Sequence, residues 1–459
     1  MSPSRHSLLL LLTCACALVS ACVPGVQPSV PLDAGSPPVA ASTPDAGAPV
    51  APEAPPPPPP DAGTPEVDAG VPELDAGIQA AAEPAPRPPL PEPPGGAFTE
   101  GASWAQLRAR LSSGAPIRAV HLGDSEIAGD AVASRIRAVL AERLGDAGPG
   151  FVLAAQSYSY YQRAGFRVSS PKGFTFRSAL DGKKGRVLGL GGMAFDAERA
   201  GASLSVRVQD VEGPCTVRFH YLEQPRGGTV AISADGKPVA SLSTGGDAEA
   251  PKRAQWDFEQ CPRSLSLTAA RLPVKVHGWD VRRAGPGVSW SALGIVASSV
   301  TRLVGREGAP HLVKSVATLE PDLVVLGFGL NVVGRGWFES ITAAEEKNLR
   351  ALLEVLRAEL PGTACVVMTP YPLVERFADV PTQSDLVHRL VERLRPVAVE
   401  AGCSFIDREA LAGGPARALQ WRTAKRRLLS TDNIHLTPAG ADVVGEQVAN
   451  LLMFHAGVR

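Results

Sequence analysis

Apolar and polar positions divide the chain into stretches of different texture. Residues 8–19 form an apolar run, and residues 22–98 then show neither helical nor strand periodicity. From residue 99 the pattern becomes globular. Apolar positions at helical spacing predict a helix over 104–111. An apolar run predicts a buried strand over 117–122 ending at Gly123, and helical spacing returns over 131–144. The same alternation resumes far downstream, with a strand over 323–328 and a helix over 341–360 that has Leu349, Leu352, Leu353 and Leu356 on one side. A strand over 365–368, a helix over 384–401 and a strand over 404–407 follow. A helix over 437–453 closes the chain, with Pro438 suited to its first turn. Strands alternating with helices predict an α/β fold whose parallel sheet is covered on both faces.

Residues 160–285 have a different period. Short β-rich runs at 204–208, 215–221, 229–233, 239–243, 264–269 and 274–281 are separated by turn pairs such as Gly227-Gly228 and Asp235-Gly236. They predict a β-sandwich or jelly roll inserted within the α/β domain rather than appended to it. The expected organisation is a signal over 1–21, a linker over 22–98, α/β segments over 99–159 and 286–459, and the insert over 160–285.

Composition sharpens the linker. Residues 22–98 hold 23 of the chain's 43 prolines, five Asp-Ala-Gly repeats, and ten acidic residues against Arg87 alone. Too few apolar side chains are present to offset the entropy of ordering, so a disordered, semi-stiff acidic spacer is expected. The whole chain is −1 and Arg5 lies upstream, so residues 99–459 carry +7. That charge is dilute and forms no Lys/Arg-rich stripe, which argues against a nucleic-acid partner. After the N-terminus no apolar run reaches the ~18 residues of a membrane span, which excludes a polytopic membrane protein.

Arg5 and His6 before the apolar run, then Ser20 and Ala21, read as an export signal. Val19-Ser20-Ala21-Cys22 resembles a bacterial lipobox; an ordinary signal peptide with an accidental cysteine is the alternative. The resemblance implies lipidation at Cys22, membrane attachment through that anchor only, and a periplasmic or cell-surface location. Val23, where inner-membrane retention is associated with aspartate, points to the outer membrane. Of seven cysteines, Cys14 and Cys16 leave with the signal, and Cys215, Cys261, Cys365 and Cys403 remain. Their positions make Cys215–Cys261 and Cys365–Cys403 the natural disulfide pairs in an oxidising compartment, with buried free thiols the alternative for the second. No CxxC or Cys/His cluster points to a metal, and no cofactor is expected.

Three short motifs can carry chemistry. Gly123-Asp124-Ser125 follows the first strand, where a tight turn exposes a serine at a helix N-terminus; simple capping by Asp124 or Ser125 is the alternative reading. Asp432-Asn433-Ile434-His435 places an acid and a base three residues apart, as a serine nucleophile needs, although one such pair among eight histidines can arise by chance. Gly329-Leu330-Asn331 follows the strand over 323–328, and its amide can donate to an oxyanion or satisfy a turn.

Together these blocks resemble the SGNH/GDSL hydrolase superfamily, with Ser125, Asn331, Asp432 and His435 in the family's order. The segment Gly287-Val288-Ser289-Trp290-Ser291-Ala292-Leu293-Gly294-Ile295-Val296-Ala297 looks like the "LGINGA" segment of periplasmic members, with Ala297 at the glycine that donates to the oxyanion and Gly294 upstream. Glu126 stands where these relatives often carry histidine, and Val332 where Asp or Glu is common. The resemblance implies a flavodoxin-like three-layer fold with a parallel sheet. It further implies an acyl-serine mechanism with Ser125 as nucleophile, His435 as base, Asp432 orienting it, and Ser125, Asn331, Ala297 or Gly294 holding the oxyanion. The inserted sandwich and Gly145-Asp146-Ala147-Gly148-Pro149-Gly150-Phe151 look like peptidoglycan O-acetylesterases, whose insert resembles a carbohydrate-binding module. An acetylated polysaccharide is the expected substrate. A polysaccharide O-acetyltransferase and a degraded glycan-binding lipoprotein are the alternatives. Tyr158, Tyr160 and Tyr161 read as aromatic packing or as a sugar platform, and Arg422, Lys425, Arg426 and Arg427 as a solvated face or an anionic-polymer contact.

Overall fold

Six strands pair in the order Phe98–Thr99, Ser404–Ile406, Ala364–Met368, Leu323–Gly327, Ile117–Gly123 and Val288–Gly294. This is a computed structural model, and it describes residues 88–181, 187–333, 338–373 and 383–458. The expected signal, Cys22 and the linker as far as residue 87 lie outside the described residues. Five of the six strands run parallel, and only the two-residue edge Phe98–Thr99 is antiparallel. Leu323–Gly327 and Ala364–Met368 are buried at every position, as strands covered on both faces must be. From Ile117–Gly123 the chain passes to Val288–Gly294 on one side and then to Leu323–Gly327 on the other. Strand order therefore reverses at Ile117–Gly123, and a crevice opens at the carboxyl ends of the strands there. Ser125 and Asn331 both lie at that crevice.

Between the first and second parallel strands the chain builds two antiparallel sheets. One runs Lys237–Ser243, Thr229–Ala234, Ser264–Arg271, Ser203–Val208, Phe166–Val168. The other runs Ala250–Phe258, Cys215–Glu223, Lys275–Arg283, Met193–Ala197, Phe174–Ser178, with Gly150–Leu153 also pairing to Lys275–Arg283. Period-two burial explains their packing. Leu204, Val206 and Val208 point inward from Ser203–Val208, while Ser203, Ser205 and Arg207 stay exposed. Val217, Phe219 and Trp279 are buried from the second sheet, and all join one hydrophobic core that extends through the parallel strands.

The helices Trp104–Ser112, Ala131–Leu144, Phe338–Glu359, Gln383–Glu400 and Pro438–Ala456 lie within a few residues of the spacing's expectation. Periodicity misses Ala250–Phe258, because none of its positions is fully buried. Backbone pairing alone defines it, over nine consecutive partners on Cys215–Glu223. Both cysteine pairs, Cys215–Cys261 and Cys365–Cys403, are disulfide-bonded. Arg163 ties the antiparallel region to the parallel sheet: it is ion-paired with Asp130 and donates to the carbonyls of Phe151 (3.1 Å) and Trp290 (2.5 Å). Among the described residues no helix is long and apolar enough to cross a membrane.

Candidate active site

Ile117–Gly123 ends in a turn that only glycine allows. A Cβ on Gly123 meets Ile127 Cγ1 at 2.2 Å and the Gly327 carbonyl at 2.8 Å. The short helix Ser125–Ala128 can therefore fold back against the strand end. Asp124 caps it, its Oδ1 accepting from the Glu126 N–H at 3.2 Å, so the capping reading holds for Asp124. Ser125 is left to do something else: its Oγ lies 3.0 Å from His435 Nε2. His435 Nδ1 lies 2.6 Å from Asp432 Oδ2, and Asp432 Oδ1 accepts the backbone N–H of both Ile434 and His435 at 2.9 Å. Ionised, Asp432 is acceptor-only, so Nδ1 carries the proton and Nε2 is the acceptor for the serine hydroxyl. Burial raises the Asp432 pKa, but the hydrogen bonds from the His435 ring and from the two N–H groups outweigh it and the net direction is down. Residues 310 apart in sequence are thus brought into one relay.

The oxyanion candidates separate. Asn331 and Ala297 line the same cleft as Ser125 and His435; Gly294 does not. Gly294 pairs with Gly123 across the parallel sheet, and a Cβ there sits 2.0 Å from the Ala128 nitrogen, so its role is close packing behind the nucleophile's helix. Ala297 has φ 59°, the left-handed region that favours glycine, and its carbonyl accepts from Arg302 Nη1 at 2.7 Å. Asn331 Nδ2 donates to the Ser298 carbonyl at 2.9 Å, which fixes its amide plane and leaves a second amide hydrogen. Val332 is buried in the short helix Leu330–Val333 and serves the core.

A buried ionic layer lies behind the nucleophile. Glu126 and Arg408 form a two-pronged pair at 2.5 and 2.8 Å, their side chains 4% and 2% exposed. Arg408 also donates to the Thr369 carbonyl and lies 5.2 Å from the centre of the Tyr371 ring. The Tyr371 hydroxyl donates to the Ile434 carbonyl at 2.6 Å, one residue before His435. No local motif marks Arg408, because its partner is 282 positions away and no local spacing joins them. Beneath this layer burial pushes Asp124 up to about 7, helped by the neighbouring Glu126 carboxylate. Burial takes His121 down to about 3, with Arg408 and Arg163 opposing its protonation, so a neutral ring sits edge-on to Trp290.

The cleft has a volume of about 550 Å³. Tyr160 stands on it 45% exposed and stacked on Tyr158, whereas Tyr161 is buried and its hydroxyl accepts from the Leu153 N–H at 3.0 Å. A second trough of about 520 Å³ shares Gly129, Ala131 and Gln162 with the cleft and runs on to Arg167 and Gln209.

This fold has a known counterpart. A peptidoglycan O-acetylesterase structure is matched over its whole length by 79% of this chain, at 19% identity and a TM-score of 0.66. An acetyl xylan esterase matches at 21% identity over 35% of this chain and 79% of that one, with a TM-score of 0.29. An acetylxylan esterase from Geobacillus stearothermophilus matches at 20% identity over 38% and 74%, with a TM-score of 0.27. No curated protein sequence matches. Residues 261–443 match the GDSL-like Lipase/Acylhydrolase family, a span that includes Ala297, Asn331, Asp432 and His435 and begins after Ser125, so the chain carries a GDSL-like acylhydrolase domain.

Proposed function

We propose that the protein is a serine esterase that removes O-acetyl groups from a cell-wall polysaccharide, peptidoglycan or a similar polymer. The observation that carries this reading is the Ser125–His435–Asp432 relay, open to a cleft that Asn331 and Ala297 also line. Ser125 Oγ attacks the ester carbonyl as His435 Nε2 takes its proton, and Asp432 holds the imidazole and stabilises its charged form. The backbone N–H groups of Ser125 and Ala297 and the second amide hydrogen of Asn331 receive the oxyanion. Collapse expels the sugar oxygen with the proton from His435 and leaves acetyl-Ser125. Water, deprotonated by His435, then releases acetate and restores the serine.

Four features support a polymeric substrate. The trough continuing from the cleft gives a chain room beyond the acetyl group, and exposed Tyr160 offers a flat apolar face. The two antiparallel sheets read as an inserted β-sandwich of carbohydrate-binding-module type, as in peptidoglycan O-acetylesterases. Lipidation at Cys22 and a long acidic linker would hold the enzyme on the outer membrane within reach of the wall. The test is acetate release from O-acetylated peptidoglycan and from acetylated xylan. Intact protein releases acetate from peptidoglycan, and Ser125→Ala lowers the rate by at least ~10³-fold. Equal rates for the serine variant and the intact protein would reject the esterase.

A further inference from the structure

Glu126 follows the nucleophile and lines the cleft, while its carboxylate is buried, with the side chain 4% exposed, behind the site where negative charge develops on the reacting carbonyl. An unpaired anion there would oppose that charge and favour protonated His435. We infer that Arg408 is a positioning residue whose cation cancels Glu126, holding the Ser125 turn in place and keeping His435 in the neutral form that accepts the serine proton. This inference rests on the esterase reading of the same site.

The geometry argues for cancellation rather than a surface ion pair. Both Glu126 oxygens are taken by Arg408, at 2.5 and 2.8 Å, and both side chains are almost completely buried. In such surroundings neither charge is well screened by water, so each is felt by its neighbours unless the other is present. Arg408 reaches this position because Asp407, at the end of the parallel strand Ser404–Ile406, caps the helix Arg408–Leu411 by accepting from the Ala410 N–H at 3.0 Å. The Thr369 carbonyl fixes the guanidinium from a second strand end, and Tyr371 links its ring contact to the Ile434 carbonyl in the turn that carries His435. One cation therefore touches the serine turn directly and the histidine turn through one side chain.

The other groups around His435 do not duplicate this role. Asp432 bonds its ring, and Ser125 Oγ occupies the opposite nitrogen. Asp124 and Tyr371 are both held toward their uncharged forms by burial, and His121 is held neutral. Arg426 and Arg427, just upstream on the segment that runs beside His435, are exposed to solvent and screened.

The test follows the His435 imidazole by NMR titration in the full chain, with its resonance assigned by loss in His435→Ala. This readout does not depend on turnover. Arg408→Met leaves an uncompensated anion and raises the His435 pKa; Glu126→Gln leaves an uncompensated cation and lowers it. Each shift is on the order of half a unit to one unit for a poorly screened charge within about 10 Å. The double variant Glu126→Gln/Arg408→Met returns to the parent value. On p-nitrophenyl acetate, the acid limb of kcat/KM moves in the same directions. A merely structural pair predicts loss of activity in both single variants with no displacement of the titration. Should Arg408→Met not fold, the near-isosteric Glu126→Gln decides alone, a downward shift supporting the inference and an unmoved titration overturning it. Failure of the parent to cleave the ester counts against the esterase reading, while opposite shifts in the titration would still support the charge cancellation.

Discussion

Ala297 stands in left-handed backbone, at φ 59°, where an L side chain costs about 1 kcal/mol. The motif resemblance places the family's oxyanion glycine at this position, and the backbone keeps glycine's conformation even though the residue is alanine. Ala297→Gly relieves the strain while loosening the unfolded chain, so the two effects nearly cancel. Its unfolding free energy stays within about 0.5 kcal/mol of the parent and activity within about two-fold. Ala297→Val, β-branched at the same angle, loses about 1–2 kcal/mol in urea unfolding and reduces kcat. An equal tolerance of valine and glycine would show that the backbone there is not constrained. Ser125 and Asn331 are legible in the sequence because each sits in a short motif just after a strand, and Asp432 and His435 because they stand three residues apart just before the last helix. Gly294, the alternative to Ala297 by motif alone, packs against the nucleophile's helix, and sequence order cannot distinguish a glycine that faces a cleft from one that admits a helix. Arg408 was invisible because its meaning lies wholly in a partner 282 residues away.

The strand Ile117–Gly123 carries His121 in its middle and delivers Asp124 at its end, so two buried titratable groups share one element. Asp124 has an ordinary value of 3.8 and a folded value of about 7. Between those values the folded state keeps a proton that the unfolded chain has lost, so stability from this group falls as pH rises through the window. His121 acts in the opposite sense. Its folded value of about 3 lies below the ordinary 6.5, so its contribution is present above pH 6.5 and is lost as pH falls. Asp124→Asn retains an acceptor for the Glu126 N–H and removes only the first slope. Relative to the parent it becomes more stable from pH 4 to pH 7, by a few kcal/mol at most. Urea unfolding at pH 5 and pH 8 measures this, and a constant difference between the two proteins would refute it. Elements buried on both faces, such as Leu323–Gly327, were easy to read from their apolar runs. Ala250–Phe258 was not, because an edge strand held by backbone pairing needs no apolar alternation. Val288–Gly294 reads in the sequence as a motif, and only its pairing to Ile117–Gly123 makes it the parallel edge strand.

At the scale of the whole molecule, the change of texture among the described residues between 98 and 458 has a counterpart in the structure: a mainly parallel sheet interrupted in the chain by two antiparallel ones, with the candidate site at the strand-order reversal. The body's charge is dilute, but Arg422, Lys425, Arg426 and Arg427 make a short exposed strip, and the hydroxyl of cleft-lining Thr437 donates to the Arg427 carbonyl at 2.7 Å, which places the Arg427 end of it beside the cleft wall. Raising ionic strength from ~0.02 to ~0.2 M should therefore lower kcat/KM several-fold on an anionic acetylated polymer and leave p-nitrophenyl acetate nearly unaffected. A parallel decline for both substrates would remove the strip from substrate capture. The proposed catalysis depends on one atom, Ser125 Oγ, becoming covalently acylated with His435 as its base. Treating the full chain with diethyl p-nitrophenyl phosphate and mapping the adduct by peptide mass spectrometry addresses that atom. The predicted result is a single phosphoryl adduct on Ser125, lost in Ser125→Ala and strongly slowed in His435→Ala. An unmodified Ser125, or an adduct that forms equally fast without His435, would contradict it.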